Sequence, residues 1–429
     1  MTLDTYQVSP GDRLRPDEWL YLGMVCLLPV VEPLNIKLSG LVVQPADIIF
    51  VGAALMWVVA LAGKRAKIRW SWFYLPLALY LGALVVSTLA SENLRFSALK
   101  LLGEIYLLGL AVLTFNLVTS MAALRRVAAA WSTGTAITVI AGVLGILLFY
   151  AGVRDRSINI ALHGYGSLPP GNYPRIDALF LYAAMLCNYL SVSFMIAVLM
   201  RSLGWRRSYW FRLLLPGIWI TAFFTLTPGL GGLALSAGLW AWLRSKETAH
   251  RRAGQLALIG GCAIALAFFI SAAVKLFSTD RQLAPVAERR LMASHRANAW
   301  RTAYETFIKH PLSGRGVGMD VAASFYVTPS GHAELLTDAH NTWLSIAGQT
   351  GFIGLLAFTS LVLYLLKGLG PLRISGQPGA TIKTCLTIAF IDAFLYQSLT
   401  GSFEDMRHIW VLIGMLAAAR EGFDKLGNN

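Results

Sequence analysis

The sequence predicts an all-α integral membrane protein of about twelve transmembrane helices with one long, helical extracytoplasmic loop. Three observations lead there. Hydrophobic residues fill 56% of the 429 positions and charged ones only 14%, against about 25% charged in soluble globular domains, and mean hydropathy is +0.60. Apolar runs of roughly 20 residues recur from end to end, each long enough to cross a hydrocarbon core of about 30 Å as a helix. The runs are continuous rather than alternating, which argues against a β-barrel.

In order, the runs place spans near residues 18–34, 46–63, 72–90, 97–118, 128–151, 178–200, 211–227, 229–243, 255–276, 341–366, 380–400 and 408–420. Around Thr227-Pro228-Gly229 one kinked or re-entrant element is the alternative to two short helices. The segment before the first run holds Asp4, Asp12 and Asp17 and shows no small-residue cleavage site, so the first helix is expected to remain in the mature chain. Cys26, Cys187, Cys262 and Cys385 all fall inside spans, without a disulfide framework or metal spacing. The chain thus divides into 1–275, with helices one to nine and a shorter extracytoplasmic loop at 152–177; 276–340, a long loop with an arginine-rich helix; and 341–429, with the last three helices.

Orientation follows from where Lys and Arg collect, because cytoplasmic loops carry the excess. Lys64, Arg65, Lys67 and Arg69 follow the second run, and Arg125 and Arg126 the fourth. Arg201, Arg206, Arg207 and Arg212 follow the sixth, Arg244, Lys246, Arg251 and Arg252 the eighth, and Lys367, Arg373 and Lys383 the tenth. Both termini are then cytoplasmic. This topology and anionic lipid account for most of the net charge of +14, so nucleic acid is not an implied partner. Two segments on the opposite side also collect arginine: Arg154 to Arg175, and Lys275 to His340.

The longer of these predicts a helix over 288–309. Arg289, Ala293, Arg296 and Trp300 recur at i, i+4, i+7 and i+11, and Arg290, Ala297, Arg301 and Tyr304 follow one step round. One face is cationic with an aromatic end. Guanidinium forks match phosphate oxygens bidentately and stay charged, so this face suits a diphosphate; a solvated face resting on lipid head groups is the alternative. His310-Pro311 stops the helix, and "GRGVG" makes a turn around Arg315. In the shorter loop, Arg175 precedes the sixth span, where the helix dipole disfavours a cation. Pairing with Asp177 or a bound anion would hold it.

His340 stands at an extracytoplasmic helix start beside Asp338 and Asn341. A neutral imidazole can take a proton from a hydroxyl, and a carboxylate beside it orients it or raises its basicity. A structural cap is the plainer reading. His163, His250, His295, His310, His332 and His408 lack such company. No HxxxH or clustered acids advertise a metal, so a metal-free mechanism is expected. Lys100, Glu104 and Asp392 lie inside spans without an evident partner. Membrane transport is the rival class, and it would call for more mid-span charges and an internal repeat.

These residues form a pattern that resembles the O-antigen ligase family, within the ligase and polymerase superfamily of bacterial surface polysaccharides. The family motif of His, then Asn, Ser or Gln, nine residues and GxxG reads here as His340-Asn341, nine residues, and Gly351-Phe352-Ile353-Gly354. Arg-x-x-x-Leu appears as Arg175 to Leu179. The long-loop pattern appears as Arg289 or Arg290 with Trp300, Ala303, Ile308, His310, Pro311, Gly314, Gly316 and Gly318. At residues 226–232 the chain reads "LTPGLGG" where many relatives, polymerases especially, carry Ser-Arg-Gly. The resemblance implies a membrane-embedded glycosyltransferase of the C class in the bacterial inner membrane, inverting and without cofactor. It would move polysaccharide from undecaprenyl diphosphate to a lipid A core sugar at the periplasmic face. It implies His340 as base, Arg175, Arg289, Arg290 and Arg296 as diphosphate ligands, and Asn341, Asp338, Trp300 and Tyr304 as substrate-positioning residues. Polymerase and protein O-glycosyltransferase activities are the alternatives it leaves.

Overall fold

The computed structural model describes residues 14–32, 36–38, 41–163, 171–205, 209–244, 293–327, 333–367 and 377–422, with scattered positions between 252 and 259. Its described helices are α1 (Pro16–Leu27), α2 (Pro45–Ala62), α3 (Tyr74–Leu89), α4 (Leu94–Leu117), α5 (Met121–Tyr150), α6 (Ala183–Ser202), α7 (Tyr209–Phe223) and α8 (Gly229–Arg244). They continue with α9 (Ala293–Lys309), α10 (Thr342–Leu366), α11 (Pro378–Phe390) and α12 (Arg407–Glu421). Two short antiparallel hairpins lie between helices: β1 (Ile36–Leu38) with β2 (Leu41–Val43), and β3 (Ser324–Val327) with β4 (Ala333–Leu336).

Cross-helix bonds fix which ends lie together. At one end, Arg407 at the start of α12 grips Asp47 at the start of α2, with Nε to Oδ1 2.5 Å and Nη2 to Oδ2 2.6 Å. There too Ile176, ahead of α6, donates to the carbonyl of Phe224 past α7 (2.9 Å), and Thr342 donates to the carbonyl of Gly401 past α11 (3.2 Å). At the opposite end, Arg69 past α2 donates to carbonyls at the end of α4, and Ser71 donates to Glu421 at the end of α12 (2.7 Å). Consecutive bundle helices therefore run up and down, and the connections sort cleanly into two groups.

Six described helical stretches are long and apolar enough to cross a membrane: Pro45–Ala62, Leu94–Leu117, Met121–Tyr150, Ala183–Ser202, Thr342–Leu366 and Pro378–Leu399. The expected count of twelve is not reached among the described residues. Several helices are short: α1, at 12 residues, rises only about 18 Å against a core of about 30 Å. The run at 255–276 lies almost wholly outside the described residues. The region at 211–243 resolves into two helices, since Leu226 takes a left-handed φ of +50° and Pro228 follows. Helix α5 starts at Met121, capped by Ser120 accepting from the Ala123 amide (3.1 Å), so Arg125 and Arg126 belong to its first turns rather than to a loop.

The centre of the bundle is α6 and α12, which are almost wholly buried. Lipid supplies little hydrophobic drive between helices, so close packing and polar bonds hold them. Gly414 lets α12 approach the Ala111 carbonyl and Thr114 of α4. Trp131 stacks on Tyr189 with centroids 5.6 Å apart and donates to Ser193 (2.9 Å). Asp392, unassigned from the sequence, sits in a π-helix (Ile391–Tyr396). It accepts from Ser236 (3.0 Å) and Gln397 (3.2 Å), while Asn188 links Gln397 to His408.

Candidate active site

Helix α10 begins where the sequence places its motif, and its first residues define the site. Asn341 caps it: the side-chain oxygen accepts from the amides of Trp343 (3.0 Å) and Leu344 (3.1 Å), two of the donors a helix start leaves unmet. Asn341 is buried, at 7% exposure. His340 just before it takes a φ of +46°, a left-handed conformation uncommon for a residue with a side chain. Asp338 holds that conformation, since its Oδ1 accepts the His340 amide (3.0 Å) while its Oδ2 lies 3.5 Å from His340 Nδ1. Asp338 also accepts from the Ser402 hydroxyl, which ties the loop to the connection between α11 and α12.

That connection brings two acids to which the sequence assigned no role. Glu404 is buried behind Asp338, and Asp405 lies against Lys100 and Glu104 of α4. Burial, then the neighbouring charges of Asp405 and Asp338, holds Glu404 well above the usual carboxylate range, up to about 8. Burial raises Asp405 as well, with the Lys100 ammonium opposing. Lys100 and Glu104 thus find their company beneath the His340 loop, in a network spanning residues 100 to 405.

The long-loop helix packs onto the same place. Ala299, Trp300 and Ala303 of α9 are buried, and Ala299 and Ala303 cluster with Val321, Ala322 and Ala339, the residue before His340. Trp300 therefore faces inward, while Tyr304 is half-exposed and Arg301 pairs with Glu305 (3.0 Å) along the outer face. Arg301 leaves the expected cationic stripe for an i,i+4 ion pair. Arg289 and Arg290 lie outside the described residues, and Arg296 lies in the first turn of α9 with its side chain outside them.

The turn after α9 is spliced into a break in α10. At Gly351 the backbone leaves helical geometry, with φ +64° and ψ −160°. The amides freed there are met by the loop: Phe352 donates to the Pro311 carbonyl (2.7 Å) and Ile353 to Leu312 (3.2 Å). In return Arg315 donates to the Gly348 carbonyl (2.9 Å) and Gly316 to Gln349 (3.0 Å). A Cβ at Gly351 would collide with the Leu312 carbonyl, and one at Gly314 with Gln349. The two glycine patterns, GxxG and GRGVG, are two sides of one joint. Arg315 further pairs with Glu92 beyond α3 (3.2 Å). The long-loop helix is thereby set at a fixed place relative to His340.

Arg175 sits at the same end of the bundle. It is buried at 7% exposure and donates through Nε to the Thr225 carbonyl (3.2 Å), in the turn between α7 and α8. Of the two partners considered for it, Asp177 is not paired with it among the described residues. Asp177 instead accepts from His163 (2.9 Å) and lies 3.7 Å from Arg156, because the Leu162–Ile176 bridge swings the two loop strands face to face. Burial raises the Asp177 carboxyl, with the His163 bond opposing. The α7–α8 turn that holds Arg175 also touches the π-helix, through Tyr396 donating to the Pro228 carbonyl (3.4 Å). A few residues on is Ser402, under Asp338.

The chain has no significant match among curated proteins. Residues 217–359 match the family model described as O-antigen ligase, a stretch that runs from α7 through α9 and the spliced turn to His340 and the GxxG break. Over this third of its length, the chain is similar to the O-antigen ligase family.

Proposed function

We propose that the protein transfers a polysaccharide from undecaprenyl diphosphate to a sugar hydroxyl of lipid A core, at the periplasmic face of the bacterial inner membrane. The observation that carries this reading is the gathering, at one end of the bundle, of a buried arginine, the long-loop helix and a carboxylate-backed histidine, in a chain whose residues 217–359 match the O-antigen ligase model. A sugar on a diphosphate is already activated, so positioning and stabilisation of the departing charge do most of the catalysis. In this reading Arg175 with Arg289, Arg290 and Arg296 grips the diphosphate. His340, oriented by Asp338, removes the proton of the acceptor hydroxyl, whose oxygen attacks the anomeric carbon from the face opposite the diphosphate and inverts it. Asn341 holds the helix start, Trp300 sets α9 against the His340 loop, and Tyr304 is the aromatic surface offered to a sugar. No metal or cofactor enters the scheme.

The test is reconstitution with lipid-linked polysaccharide and three acceptors in parallel: lipid A core, a second lipid-linked repeat unit and a Ser/Thr peptide. Transfer to lipid A core alone supports the reading. Product on the repeat unit or the peptide would make the protein a polymerase or a protein glycosyltransferase.

A further inference from the structure

At the end of the bundle opposite His340, a cavity of about 220 Å³ opens between the start of α1, the end of α2 and the end of α4. Its walls include Arg15, Glu18, Trp57, Lys67, Arg69 and Asn116. That volume is below the range of drug-sized ligand pockets, about 300–1,000 Å³, and several times the share of one water, about 30 Å³. It suits a single polar head group.

The cations differ in what they have left to offer. Arg15 is consumed by Asp17, by Glu18 and by the Arg65 carbonyl. Arg69 is held in place: its Nη1 donates to the carbonyls of Phe115 (2.9 Å) and Val118 (3.1 Å), and its guanidinium lies 4.6 Å from the Phe115 ring centre. These contacts cap the C-terminus of α4, yet they use one nitrogen of the fork and leave Nε and Nη2. Lys67 is exposed, with no acid at ion-pair distance among the described residues. Beside the cavity, Trp70 is 94% and Trp72 77% exposed, with Ile68 also outward. Side chains that apolar and large, next to a run of cations, match the aromatic belt at a membrane–water interface.

We propose that this cavity binds the phosphodiester head group of an anionic phospholipid, in the leaflet opposite the candidate active site, through Lys67 and the preset fork of Arg69. Trp57 lines the apolar side of the cavity, and Trp70 and Trp72 lie in the head-group layer beside the bound lipid. The site is independent of the glycosyl-transfer reading.

The experiment uses the full chain purified in a neutral detergent. Thermal unfolding is followed while phosphatidylglycerol, phosphatidylcholine or inorganic phosphate is titrated in, and lipid retained by the protein is counted by native mass spectrometry. Phosphatidylglycerol is expected to raise the midpoint saturably and to be retained. Lys67→Gln, at an exposed position with no ion-pair partner among the described residues, weakens that effect about fivefold, as expected for one cation facing anionic lipid. Arg65→Gln, in the same loop but outside the cavity, leaves it unchanged, and Lys67→Arg restores it. Three results would overturn the proposal: equal shifts from phosphatidylcholine, equal shifts from inorganic phosphate, or equal losses in Lys67→Gln and Arg65→Gln.

Discussion

His340 carries the sharpest consequences at the scale of single residues. If it removes the acceptor proton, His340→Ala lowers transfer by roughly 10²–10⁴, the range for general base catalysis, while donor binding stays near wild type. Activity assays alongside donor-binding measurements check both halves. Asn341→Ala is a different kind of change: it removes a buried cap and costs about 1 kcal/mol of stability, with transfer falling only as far as the His340 loop loosens. Glu404 gives a pH signature. The folded state binds its proton more tightly than the unfolded chain does, because burial raises the carboxyl from 4.5 to about 8. Stability therefore falls as pH climbs through that window, and Glu404→Gln flattens the slope, read by thermal melts across pH 5 to 8. The sequence made His340 legible through its neighbours, a carboxylate two residues back and an amide one forward. It could not make Glu404 legible, because the contact joins residues more than 60 positions apart and rests on burial. Arg175 was legible as a cation needing a partner, but one partner it has is a carbonyl at Thr225, which no side-chain pattern reports.

Among the elements, the joint between the α9 turn and α10 decides whether the arginine helix and the histidine stay in register. Gly351→Ala places a Cβ against the Leu312 carbonyl at a φ of +64°, and a strained conformation of that kind costs on the order of 1–3 kcal/mol. The prediction is a lowered melting temperature and a transfer rate that falls further than lost folded protein explains, compared with Gly379→Ala, where nothing lies within 4 Å. Loss of transfer only in proportion to unfolded protein would reduce the joint to a structural brace. Both glycine patterns were visible in the sequence as turns, yet their pairing was not. It is made by main-chain bonds between residues 311–316 and 348–353, and such bonds leave no trace in residue type. The arginine helix was legible by its period, but its buried face turned out to be alanine and tryptophan, and Arg301 is spent on Glu305.

Taken whole, the described connections sort into two ends of the bundle, and which end faces the cytoplasm is the expectation drawn from loop charge. Spans were legible wherever an apolar run was long. The count of twelve is not confirmed, since helices found where spans were expected, such as α1 and α12, are short and the run at 255–276 lies almost wholly outside the described residues. Cysteines introduced at Arg315 and at Lys67 are predicted to react with a membrane-impermeant maleimide from opposite sides of sealed vesicles. The central claim is that one lipid-linked diphosphate meets the arginines and the imidazole at the same end. Its most direct test is single-turnover transfer from a radiolabelled lipid-linked donor, with donor binding measured on the same samples of His340→Ala and Arg175→Ala. The account predicts that His340→Ala binds donor and does not transfer it, and that Arg175→Ala binds donor weakly and transfers the fraction it binds. Normal transfer by His340→Ala, or unchanged donor affinity in Arg175→Ala, would contradict it.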